Sequence, residues 1–82
     1  MRAIVVKKPG ELSLAEIACP VPGPYQALVR TEVAALCNAT DCKLIDGHFP
    51  GVEAYPLALG HEGAGIVCET GKKVRSFAVG DR

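Results

Sequence analysis

The residues best suited to chemistry stand in Gly60-His61-Glu62-Gly63-Ala64-Gly65, the one place where a metal-ligand residue is packed among glycines. Imidazole and carboxylate are adjacent there, and the flanking glycines let the backbone turn and approach another element closely. The second half of the constellation is Cys37-Asn38-Ala39-Thr40-Asp41, its cysteine 24 residues upstream of His61. A thiolate, an imidazole and nearby carboxylates form a donor set for zinc, which is borderline-soft and takes sulfur, nitrogen and oxygen together. Each residue alone has a plainer reading. A histidine in a glycine-rich loop is more often a hydrogen-bonded structural residue, and a buried free cysteine is ordinary in cores.

The elements that must position these groups follow from local pattern. Tyr55-Pro56-Leu57-Ala58-Leu59 leads into the glycine loop, and Gly65-Ile66-Val67-Cys68-Glu69 alternates like a strand on the way out, so His61 should sit where a loop enters a sheet. The longest strand is expected over Gln26 to Leu36, with its mid-strand charges on one face only, as in a sheet with one buried and one wet side. Cys37 lies just beyond its end. Asn38 can cap a short helix through Asp46, and Gly47 is placed to end it in the left-handed conformation. Residues three and four apart on a helix share a face, so Cys37 and Asp41 point to the same side, towards His61.

Upstream, Arg2-Ala3-Ile4-Val5-Val6-Lys7 and Leu12-Ser13-Leu14-Ala15-Glu16-Ile17 read as a hairpin joined by Lys8-Pro9-Gly10-Glu11. Cys19-Pro20-Val21-Pro22-Gly23-Pro24 is an extended linker that cannot join a central strand. Downstream, a Thr70-Gly71-Lys72-Lys73 turn precedes a short strand over Val74-Arg75-Ser76-Phe77. About six short strands, one short helix and frequent turn residues predict a mainly β fold, an antiparallel partly open barrel.

At 82 residues this is at most one small domain, burying only about 60% of the surface its unfolded chain exposes. Hydrophobic residues make up 49% but aromatics only 5%, so the core must be built from Val, Leu, Ile and Ala. Net charge is +0, with no basic cluster beyond Lys7-Lys8 and Lys72-Lys73. That argues against nucleic-acid and anionic-membrane partners. No apolar run approaches the length of a membrane span and no signal peptide is evident, so the expectation is cytoplasmic. The four cysteines, Cys19, Cys37, Cys42 and Cys68, then read as reduced thiols or metal ligands rather than two disulfides. Cys19 and Cys68 are taken as structural, with Cys42 open to either role.

Gly60-His61-Glu62 followed by Gly65, Gly71 and Val74 resembles the zinc signature of the medium-chain dehydrogenase/reductase family, the zinc-dependent alcohol dehydrogenases. Leu36-Cys37 with Thr40-Asp41, the Pro56 ahead of the glycine loop, and Phe77-Ala78-Val79-Gly80-Asp81-Arg82 are similar to that family in the same order. The resemblance covers nearly the whole chain. It implies the GroES-like fold, and a domain over residues 1–82 that is the truncated N-terminal, catalytic portion of a longer enzyme. It also implies zinc as a Lewis acid on a small-molecule alcohol or carbonyl substrate, with an NAD(P) cofactor taking the hydride. Cys37 and His61 would be ligands, and Glu62 either a ligand or the carboxylate that exchanges with substrate. Asp41 would orient His61 through its other ring N–H, and Thr40 is a candidate for the hydroxyl that relays the substrate proton.

Two features depart from the pattern. The family usually has two residues between the ligand cysteine and the aspartate, whereas Asn38-Ala39-Thr40 puts three here. Either the helix start carries one extra residue, or Thr40 occupies the aspartate position and Ala39 the hydroxyl position. The first is preferred because it keeps the Thr-Asp pair intact. In addition, no Gly-x-Gly-x-x-Gly and no βαβ pattern occurs, so these residues hold no dinucleotide site and the Rossmann cofactor domain is absent from them. The expected parent is a homo-oligomeric alcohol, polyol or threonine dehydrogenase-like enzyme. A stand-alone GroES-like module that binds metal or a partner without catalysis is the alternative. A zinc-free reductase of the same superfamily is disfavoured by the presence of Cys37, His61 and Glu62.

Overall fold

A computed structural model describes all 82 residues, Met1–Arg82. Five strands and one helix follow in the order β1 (Arg2–Lys8), β2 (Glu11–Glu16), β3 (Ala27–Ala35), α1 (Asn38–Asp46), β4 (Leu57–Ala58) and β5 (Glu62–Thr70). The fold is mainly β with one short helix. The strands form a three-stranded sheet in the order β2-β1-β4 and a two-stranded sheet of β3 and β5, with no closed barrel. The chain divides into two compact units, one of Met1–Ala18 with Ala35–Glu62, the other of Cys19–Ala34 with Gly63–Arg82. No helix is long and apolar enough to cross a membrane.

The first unit is built around β1. The β-branched run Ile4-Val5-Val6 pairs antiparallel with β2, Ile4 opposite Leu14 and Val6 opposite Leu12, as the hairpin pattern predicts. Its other edge takes β4, Val5 opposite Ala58 and Val6 opposite Leu57. Flanked on both sides, Val5 and Val6 are the buried apolar residues of this unit. The two-residue strand β4 was not expected from sequence, because Pro56 immediately before it and its length leave no alternation to read. The Leu59 amide extends the pairing by donating to the Ile4 carbonyl at 3.0 Å. The chain is thereby held to the central strand up to two residues before His61.

Helix α1 packs against β1, and its C-terminus is tied down carbonyl by carbonyl. Gly47 takes φ 78°, and the His48 amide reaches back to the Lys43 carbonyl at 2.8 Å. The Tyr55 hydroxyl donates to the Leu44 carbonyl at 2.7 Å, and the Gly10 amide to the Ile45 carbonyl at 2.6 Å. Carbonyls that a helix end leaves without partners are thus satisfied by the hairpin turn and by the loop ahead of β4. Gly47 is needed twice over, since a Cβ there would also meet Pro9 Cγ at 2.8 Å. Tyr55 is therefore a packing and anchoring residue.

In the second unit β3 and β5 run antiparallel. Gly63 lies against Val33, Gly65 against Arg30, and the Cys68 thiol donates to the Leu28 carbonyl at 3.3 Å, so contacts recede along one strand as they advance along the other. Val67 is its buried apolar residue, pinned by exchange of amide and carbonyl bonds with Gly80 and Asp81 at 2.8 Å each. The Cys19–Pro24 segment is free of strand structure, as its prolines require.

Three expectations are corrected. Val74-Phe77 is not a strand: the Lys73 amide bonds to Pro24 and the Val74 amide closes a turn on Gly71, so the backbone is committed to turns. β3 does not bury one face, and Val29 and Val33 remain 47% and 63% exposed. Asn38 is the first helical residue and not the cap. Cys37 holds the cap position with extended backbone and no side-chain cap bond. Asn38 instead accepts a hydrogen bond from the Cys42 thiol, Sγ to Oδ1 at 3.7 Å.

Candidate metal centre

Cys37, Thr40, Asp41, His61 and Glu62 all belong to the first unit. Two anchored segments deliver them. Cys37 opens α1, whose far end is fixed to the β1–β2 turn, and His61 follows β4, which is paired to β1. Between β4 and His61 the backbone turns at Gly60, with φ 118°, a value that side-chain-bearing residues rarely adopt. The loop-into-strand placement expected for His61 is the one observed: it directly precedes β5.

The structure brings three donors together. Cys37 Sγ, a ring nitrogen of His61 and a carboxylate oxygen of Glu62 all lie within 4.8 Å of one another. Asp41 stands behind them, 2% exposed, with Oδ1 3.4 Å from His61 Nδ1. Its Oδ2 accepts the Cys37 amide at 2.9 Å. Of the two registers open from sequence, the geometry has Asp41, not Thr40, facing the imidazole. Thr40 faces Cys37 instead. His48 and Phe49 belong to the loop after α1 and are not among the clustered groups.

The site's electrostatics favour an ionised thiol. The Cys37 pKa is lowered from its ordinary value, first by the Thr40 backbone N–H, then by the Thr40 hydroxyl and by His61, against opposition from desolvation and from the Glu62 charge. The His61 pKa is raised, chiefly by its hydrogen bond to Cys37. Burial opposes that rise, and the negative charges of Cys37, Asp41 and Glu62 add to it. A thiolate and an imidazolium therefore stabilise each other here. The four cysteines are all free, Cys19, Cys42 and Cys68 being exposed.

Whether these groups suit a zinc ion can be judged from one orphaned atom and from the donor chemistry. Asp41 Oδ1 is buried without a hydrogen bond, a costly state for a carboxylate oxygen. Drawing His61 Nδ1–H onto it would satisfy it and leave Nε2 free as a ligand, the usual arrangement behind a metal-bound histidine. Sulfur, nitrogen and oxygen from Cys37, His61 and Glu62 form a mixed set that zinc accepts, with donor atoms about 3.5 Å apart in a tetrahedral shell. The observed spacing, up to 4.8 Å, is of the same order. The residues fit the metal.

Sequence reading named every member of this cluster but missed how Asp41 is used. The carboxylate bonds the backbone of Cys37 as well as facing His61, a link whose one available signal was the four-residue spacing from cysteine to aspartate.

Known proteins include relatives of the whole chain. The chain is 40% identical to alcohol dehydrogenase 1 of Emericella nidulans over 96% of its own length and 22% of that protein's. It is 39% identical to acryloyl-coenzyme A reductase of Sulfurisphaera tokodaii, covering 100% of this chain and 24% of the relative. A solved structure from Sinorhizobium meliloti 1021, assigned as a zinc-binding dehydrogenase and bound to NADP, superposes with a TM-score of 0.85 at 39% identity. That match takes in 96% of this chain and 22% of the other. The chain thus spans about a quarter or less of the length of these relatives. Residues 23–82 match the model of the alcohol dehydrogenase GroES-like domain, and the chain belongs to that family.

Proposed function

We propose that residues 1–82 are the N-terminal catalytic-domain portion of a zinc-dependent, NAD(P)-dependent alcohol or polyol dehydrogenase. The observation that carries this is the convergence of Cys37, His61 and Glu62 within 4.8 Å. Membership of the family and the names of the relatives support it. Cys37 and His61 would hold the metal, with Glu62 as a further ligand or as the group that yields to substrate. Bound zinc would supply Lewis acidity towards a substrate hydroxyl. Asp41 would keep the His61 proton on Nδ1, and the Thr40 hydroxyl, beside the Cys37 sulfur, is placed to pass on a proton from substrate. The nicotinamide would be held by chain outside these residues, which contain no phosphate-cradling glycine motif.

The test is zinc-dependent oxidation of simple alcohols, polyols and 2-amino-3-hydroxy acids by the protein as it exists, with NAD and NADP compared. Activity that follows zinc content and is lost in His61→Ala is expected. An inert protein with zinc and cofactor both bound would overturn the reading.

A further inference from the structure

The two oxygens of Asp41 are divided between two segments of chain. Oδ2 takes the amide of Cys37 at 2.9 Å, and Oδ1 lies 3.4 Å from Nδ1 of His61. The aspartate's own amide returns to the Cys37 carbonyl at 2.9 Å, so Cys37 and Asp41 close a ring at the helix start. The side chain of the cap residue, Cys37, makes no capping bond at this end of α1. The carboxylate does that work from one turn inside the helix, satisfying the amide of the cap residue itself. It is the buried polar residue of the chain, at 2% exposed.

We infer that Asp41 is a positioning residue for Cys37 as well as for His61: one buried carboxylate sets the separation of the thiol and imidazole segments before any metal arrives. Spacing makes this possible. With three residues between cysteine and aspartate, Asp41 falls one helical turn beyond Cys37 and above its amide. The extra residue at the helix start therefore has a consequence for the site. It puts both arms of the donor pair on one rigid anion. The inference rests on the metal reading only for its second readout, because the Cys37 arm exists without metal.

The test compares Asp41→Ala and Asp41→Asn with the parent in the protein as it exists. Amide hydrogen exchange of Cys37 in the metal-free protein reads the first arm. Zinc affinity by chelator competition reads both. Asp41→Ala should lose the Cys37 protection by about tenfold or more and zinc affinity by roughly 10–100-fold. Asp41→Asn keeps a carbonyl oxygen for the amide but turns an NH₂ towards His61, which favours the Nε2–H tautomer that cannot ligate. It should keep the protection and still lose zinc affinity, a split that a purely structural role would not produce. If Asp41→Ala does not fold, that split within Asp41→Asn decides the matter. Unchanged Cys37 exchange in Asp41→Ala, or loss of protection together with unchanged zinc affinity in Asp41→Asn, overturns the inference. A parent with a protected Cys37 amide that Asp41→Ala exposes, yet no zinc binding, upholds the Cys37 arm and overturns the metal reading instead.

Discussion

The Cys37 amide donates to Oδ2 of Asp41 at 2.9 Å, and the Asp41 amide donates back to the Cys37 carbonyl at 2.9 Å. This reciprocal pair makes the start of α1 a closed unit. The thiol it carries cannot drift from the imidazole without breaking a part-buried, charge-assisted hydrogen bond, typically about 1.5–3 kcal/mol. Helix, hairpin turn and β4 are tied to one another through Ile45, Leu44 and Leu59, so the donors sit on anchored chain at both ends.

Gly60 tests how far that anchoring matters. Its φ of 118° lies where a Cβ is strained, at a cost of about 1–3 kcal/mol. Gly51, with φ 81° and open space around it, is strained in the same way but sits in the loop after α1. Both Gly60→Ala and Gly51→Ala should lower the midpoint of denaturation by comparable amounts. Zinc affinity should fall in Gly60→Ala alone, because only that turn aims His61. Equal affinity losses in the two variants would argue that the turn does not position the ligand.

Gly65 is constrained by space rather than by φ. A Cβ there would overlap the Arg30 carbonyl oxygen and approach Val29 Cγ1 to 2.8 Å. Because the main obstacle is backbone, β3 and β5 would have to part. Gly65→Ala should therefore destabilise by about 1–3 kcal/mol or more, read by urea denaturation. Gly63→Ala, whose Cβ would stand 3.0 Å from the Val33 oxygen, should cost less. A harmless Gly65→Ala would refute the observed register of the two strands.

Much of this was legible because the residues involved act locally. The period-two hairpin, the Gly47 terminus and the Gly60 turn are all dictated by side-chain bulk and backbone freedom within a few residues. The one-sided burial expected of β3 relied on more than local pattern. Val29 and Val33 are exposed although their alternation marks a buried face, since burial depends on what packs against a strand. In the site, residue types and spacing were enough to name Cys37, Asp41 and His61. The use of Asp41 Oδ2 on a backbone amide was not legible, because backbone groups carry no sequence signature.

Metal-free Cys37 should be the most reactive thiol in the chain. Its pKa lies below the ordinary thiol value, mainly through the Thr40 amide and hydroxyl and then His61. A lowered pKa keeps the thiolate populated as pH falls towards neutrality, and reactivity is lost only as pH drops through that lowered value. His61, raised in turn, stays protonated to higher pH than a free imidazole and loses its charge above that. Iodoacetamide labelling followed by peptide mapping should show Cys37 modified before Cys19, Cys42 and Cys68 near pH 7. Its pH midpoint should move up in Thr40→Ala and in His61→Ala. Uniform labelling of the four thiols with a common midpoint would contradict the ion-pair account.

Apolar surface predicts the behaviour of residues 1–82 by themselves. Leu14, Val33, Leu36 and Val79 are 64%, 63%, 78% and 65% exposed, while the buried apolar residues are only Val5, Val6 and Val67. β3 has β5 on one side only and leaves its other edge open, and unpaired edges join other chains. We expect concentration-dependent association by sedimentation, and a melting point that rises with concentration. A monomer whose melting point is independent of concentration would count against it.

The last prediction separates an enzyme domain from a metal- or partner-binding module. Hydride transfer requires substrate on the metal and the nicotinamide within near-attack distance, about 3–3.5 Å between reacting atoms. Residues 1–82 offer the donors but no glycine loop after a strand and before a helix that would cradle a pyrophosphate. By themselves they should bind zinc through Cys37 and His61 and bind neither NAD nor NADP, measured by equilibrium dialysis and by nicotinamide fluorescence. The same residues within a longer chain that binds the cofactor should support zinc-dependent oxidation. There Cys37→Ala should remove zinc and activity together while leaving cofactor binding in place. If the longer chain bound cofactor and zinc but Cys37→Ala left turnover intact, the metal would not be part of the reaction, and the module reading would replace the enzyme reading.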